Sequence, residues 1–145
     1  MAFAVPPHTQ CSDVAVGWLT LPAGAVIQWV RPARATLEHA KWLVGPAFEQ
    51  LETRYPNHSA WTIVLDFEHM TGRTAASRST VLAKARQCSG RIGRCFVVLP
   101  RQTSPAHLYG VRAGIALART FGIRVEIAES AARAIAIAGL RVARY

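Results

Sequence analysis

A chain of 145 residues, 51% of them apolar, has enough hydrophobic material for one buried core and too much to remain disordered. No apolar run approaches the ~18 residues that cross a bilayer, and the start MAFAVPPHTQ places Pro6-Pro7 behind no basic flank, so neither a spanning helix nor a signal peptide is expected and the protein reads as cytoplasmic. The net charge of +9 is uneven: residues 1–68 hold four basic against six acidic side chains and residues 69–145 thirteen against two, a balance that steers an acidic partner or simply solvates the surface.

Residues 1–12 are expected to form a flexible tail and residues 13–145 a single domain. Val14 to Leu21 and Ala25 to Val30 read as the strands of a β-hairpin. Pro22-Ala23-Gly24 supplies the turn, and the second run alternates Val26, Gln28 and Val30 against Ala25, Ile27 and Trp29. Trp18 and Trp29 are candidate cross-strand partners, sheet-face aromatics rather than a ligand platform. From Ala35 to Arg54, Leu37, Ala40, Val44, Phe48 and Leu51 recur at helical spacing, and Gly45-Pro46 removes a backbone hydrogen bond mid-way, which predicts a kink or break near Leu43. Pro56-Asn57 stops this helix, and the polar His58 and Ser59 lead the chain onward.

Thr62 to Phe67 is apolar on both parities except at Asp66, the pattern of a parallel strand covered on both faces and therefore central. Asp66 sits at its carboxyl end, where open α/β sheets place their binding crevice, and His69 to Arg78 would rim that crevice. Ala75 to Gln87 reads as a helix with Val81, Leu82 and Ala85 facing inward. Cys95 to Leu99 is a second central strand, ended by Pro100. Ser104-Pro105 starts another helix, with Leu108, Val111, Ile115 and Ala118 inward and Arg112 and Arg119 together on one flank. Gly122 ends it, Ile123 to Ile127 alternates like an edge strand, and Ser130 to Ala138 forms the last helix. The expected fold is α/β: an N-terminal β-hairpin, then alternating helices and strands in one mixed sheet.

GxSxG, P-loop, GxGxxG and HExxH motifs are all absent from the sequence. Asp66 and His69 are three apart, which invites a catalytic dyad, but no nucleophile accompanies them and an acid at a strand end more often caps a loop. Ser77, Ser79 and Thr80 could bind an anion at a helix start, although capping is the commoner use. Cys11, Cys88 and Cys95 are an odd set without CxxC spacing, which favours reduced thiols, and the histidines are scattered singly, so no metal or cofactor is expected.

The order strand, strand, helix, then strand-helix three times resembles the STAS family, the sulfate-transporter and anti-sigma-factor-antagonist domain, over Val14 to Leu140. VLDFEHMTGRTAAS is similar to that family's strand ending in Asp, loop and Asp-Ser-Ser-Gly turn, and GIRVEIAESAARAIAIAGL to its last strand and helix. The resemblance implies a non-catalytic regulatory module for protein–protein interaction in signalling, with an anti-sigma-factor-like kinase or another STAS protein as partner. It places the partner-binding set at Asp66, His69, Arg73, Thr74, Ala75, Ala76, Ser77 and Arg78. The family's phosphorylated serine falls on Ala75, which cannot carry a phosphate, and Arg78 stands where an aliphatic residue is usual. The alternative is electrostatic binding of nucleic acid through the Arg-rich second half, at Arg101, Arg112 and Arg119.

Overall fold

The computed structural model describes residues 7–11, 13–21, 23–56, 60–138 and 141–142. Pro7–Cys11, expected in the tail, instead forms strand β1, paired antiparallel with β2 (Val14–Leu21). The remaining tail residues lie outside the described residues, as do Pro22 of the expected turn and His58 and Ser59. β2 returns as β3 (Ala23–Trp29) in a hairpin tighter than the sequence suggests: Ala23 pairs with Thr20 and Gly24 with Leu19, so both belong to the strand. Trp18 lies opposite Ala25 and Trp29 opposite Val14, so this register puts the two indoles at opposite ends of the hairpin, not across from each other.

β4 (Ala33–Ala35) leads into α1 (Leu37–Trp42). Thr36 caps α1 reciprocally: its hydroxyl accepts the His39 backbone N–H, and the His39 ring accepts the Thr36 N–H. The expected break appears as a π turn over Leu43–Ala47, which contains Pro46, and α2 (Phe48–Arg54) continues beyond it. A wider turn accommodates a residue that has no N–H to donate. Then follow β5 (Trp61–Asp66), β6 (Met70–Arg73), α3 (Ala75–Gln87), β7 (Ile92–Val98), α4 (Pro105–Thr120), β8 (Val125–Ala128), α5 (Ala131–Ala138) and β9 (Arg141–Val142). Thr74 caps α3 and Ser104 caps α4, each accepting a backbone N–H three residues on. Gly122, at φ 91°, closes α4 in a conformation that other residues rarely adopt.

The main sheet runs β1-β2-β3-β5-β7-β8, with β9 on β2. β3, β5, β7 and β8 are parallel neighbours, so β5 and β7 are central and β8 is an edge, as their sequence patterns require. The single sheet expected is in fact two, because β4 and β6 form a separate parallel pair. These short segments leave the main sheet to deliver the chain to the caps of α1 and α3.

Alternation along the central strands builds two interiors. Leu19, Val26, Val64, Phe96 and Val98 face Ala131 and Ala134 of α5. The opposite parity sends Val16, Trp18, Ala25, Trp61, Cys95 and Val97 toward the α1–α2 segment and α4. α3 covers this second face differently, since Ser77 is its one buried residue. Val81, Leu82 and Ala85 all line a cavity; Ala85 also packs against the core of Cys95, Val97, Val111 and Ile115, while Val81 stays 36% exposed.

Candidate functional site

Asp66 follows Val64 in parity, so its carboxyl lies on the α5 side of the sheet, away from the loop and helix that come after it. It is 1% exposed. One oxygen accepts the Gln28 side-chain amide at 2.8 Å and the other the Glu68 backbone N–H at 3.1 Å. Burial pushes its pKa above the ordinary 3.8, opposed chiefly by the Glu68 N–H, while His69 acts on it only as a neighbouring charge. Asp66 is thus an internal cap on the strand end.

The start of α3 separates into residues turned inward and residues left outside. The Thr74 hydroxyl accepts the Ser77 N–H at 3.1 Å, and the buried Ser77 hydroxyl donates to Thr74 O at 2.9 Å and Ala35 O at 3.3 Å, tying α3 to β4. Ala75 and Ala76 are exposed. Beyond them α3 carries Arg78, Lys84 and Arg86 and no acidic side chain. The Lys84 ammonium lies 4.1 Å from the Phe48 ring centre and the Arg86 guanidinium 6.0 Å from that of Phe121.

Arg73 was expected as a loop side chain, but β6 carries it inward under α4. A Cβ at Gly110 would stand 2.9 Å from its Nη2 and one at Gly114 3.8 Å from its Nη1. The two glycines, four apart on one face of α4, make room for the guanidinium, and they were the one trace of this site in the sequence. Arg73 Nη2 is buried without a hydrogen-bond partner, and so is His107 Nε2. Burial, then the charge of Arg78, lowers the Arg73 pKa; burial, then the charge of Arg73, lowers that of His107.

Between the sheet and the helices α1, α3 and α4 lies a cavity of about 240 Å³. Trp18, Ile27, Leu65, Leu82, Ala85 and Ile115 contribute to its apolar wall, and Arg73 reaches it from β6. Small residues drawn from several elements, among them Ala25, Ala47, Gly114 and Ala118, leave the space that larger aliphatics would fill. Cys95 lies in the same wall, and complete burial pushes its thiol up to about 12, which leaves it an unreactive packing group.

The three arginines of the alternative site are dispersed in their use. Arg101 pairs with Glu68 at 3.1 Å, Arg119 donates twice to Val125 O at 3.2 and 2.9 Å, and Arg112 is exposed. Arg91 lies 3.9 Å from the Trp61 ring centre and pairs with Glu52, and Arg94 lies over Phe96 and pairs with Glu126 at 2.6 Å. Arg91, Arg94, Arg101 and Arg119 are therefore engaged within the molecule. Among the described residues no helix is long and apolar enough to cross a membrane. Comparison with protein-family models, curated proteins and solved structures finds no match to this chain.

Proposed function

We propose that this chain is a non-catalytic regulatory module with a STAS-like fold that binds a protein partner through the outer face of α3. The observation that carries the reading is the character of α3: a thirteen-residue helix with Ser77 as its one buried residue, three basic side chains, of which Arg86 is exposed, and no acid. One side of α3 packs toward the sheet through Ser77, Leu82 and Ala85, while Ala75, Ala76, Ser79 and Arg86 stay exposed, and loops and element starts on a rigid sheet are where binding concentrates. The order β2, β3, α1–α2, β5, α3, β7, α4, β8, α5 supports the STAS likeness. The partner, an anti-sigma-factor-like kinase or a second STAS protein, would offer an acidic face to Ala75, Ala76, Arg78, Ser79 and Arg86. Asp66, Arg73 and Ser77 would then act from inside by holding the loop and the helix start in place. Ala75 leaves the family's phosphoserine position without a hydroxyl. The engaged state of Arg91, Arg94, Arg101 and Arg119 weighs against the nucleic-acid reading.

A photo-crosslinking residue placed at Ala76, compared with one at Arg133 on α5 across the sheet, tests this in the source cell. The reading expects one protein with an acidic face to be captured from Ala76 and not from Arg133. Equal capture of that protein from both positions, or capture of nucleic acid alone, would contradict it.

A further inference from the structure

We infer that the cavity beneath α3 binds a single aliphatic chain bearing an anionic head, with the head set against the Arg73 guanidinium. This does not depend on a partner docking at α3. The cavity wall is apolar except at a few points, and the charge at those points has one sign: Arg73, Arg78 and Lys84 contribute to the lining, and no aspartate or glutamate does. At about 240 Å³ it exceeds the ~150 Å³ that accommodates a benzene-sized guest, so a longer apolar body fits.

Arg73 specifies the head. Its Nη2 is buried without a hydrogen-bond partner, and Arg78 adds a second positive charge beside it. The half-buried Arg73 has no carboxylate among the groups acting on its charge, and a planar guanidinium pairs with a carboxylate through two parallel hydrogen bonds. Gly110 and Gly114 make room for the guanidinium against α4, and Gly114, nearest its Nη1, lies in the cavity wall. His107, whose Nε2 is also buried and unpartnered, lies near Arg73 but outside the cavity wall. A fatty-acid-like carboxylate therefore satisfies both ends of the site: its chain fills the apolar volume and its head supplies the missing negative charge. Entry is over α3, the covering element with a single buried residue.

The probes are dodecanoate, dodecanol of equal chain length, and a terminally brominated dodecanoate, each titrated into the delipidated full chain. Trp18, Trp29 and Trp61 line the cavity, so the bromine should quench their fluorescence saturably, with one site per chain. Titration calorimetry should place dodecanoate at least about tenfold tighter than dodecanol, the margin set by a charge-assisted hydrogen bond. Arg73→Met should bring dodecanoate down to the level of dodecanol, and Ala85→Trp, which fills the cavity, should abolish binding of both. Absence of saturable binding by either compound overturns the site. Equal affinity of acid and alcohol for the unmodified chain overturns the assignment of the head to Arg73, whatever the variants do.

Discussion

Asp66 shares its carboxyl between the Gln28 amide and the Glu68 backbone N–H in a position withdrawn from water. Because its folded pKa is raised, the folded chain keeps a proton that the unfolded chain has released. Stability therefore falls as pH rises from 3.8 toward the folded value, and the penalty is constant above it. Asparagine escapes this penalty: its oxygen accepts the Glu68 N–H, and its amide donates to Gln28 Oε1, which is now without a partner, once the Gln28 amide turns over. Asp66→Asn should be at least as stable as the parent at pH 7, with the advantage vanishing as pH is lowered to 3.8. Asp66→Ala should fall about 1–3 kcal/mol below Asp66→Asn, since it leaves buried donors unpaired. Urea unfolding across pH measures both, and an asparagine advantage that grows on acidification would contradict the assignment. The sequence placed this acid at a strand end, and its parity with Val64 already held the information that it looks away from α3. Arg73 was less accessible to sequence reasoning, because a four-residue strand, not a loop, turns it inward.

At the scale of elements, the pairing of β3 with β5 is the tightest constraint. A Cβ on Gly24 would lie 1.8 Å from the backbone oxygen of Thr62, so the two strands pair at their observed separation only with glycine there. Gly24→Ala should destabilise by about 3 kcal/mol, the upper end of overpacking costs. Gly45→Ala, with nothing within 4 Å of the added carbon, should be neutral or slightly stabilising through helix propensity. Thermal unfolding of the two variants checks this, and equal shifts would contradict it. The strands β2, β3, β5 and β7, the break at Pro46 and the Ser104 start of α4 were legible because each rests on a local rule: alternation, a missing N–H or a capping hydroxyl. β4, with three residues, and β6, with four, are too short to show a period. β1 draws its order from the edge of β2, a partner that its own sequence does not announce.

At the scale of the whole molecule, the positive second half is spread over aromatic rings, carboxylates and one backbone carbonyl, which a count of charges along the chain cannot reveal. The cavity was hidden for a related reason: the residues that make it small-walled lie far apart in sequence and meet only once the sheet and helices are assembled. The cavity lies beneath α3, which roofs it with Leu82, Lys84 and Ala85 and turns its remaining surface outward. The account stands on α3 being a surface element in which Ser77, in the first turn, is the one buried residue. Native-state hydrogen exchange measures this directly. The amides of Val81 to Gln87 should exchange about 10–100-fold faster than those of Val111 to Ile115 in α4 and Ile63 to Leu65 in β5, because few buried contacts hold them. Protection in Val81 to Gln87 equal to that of α4 and β5 would contradict it.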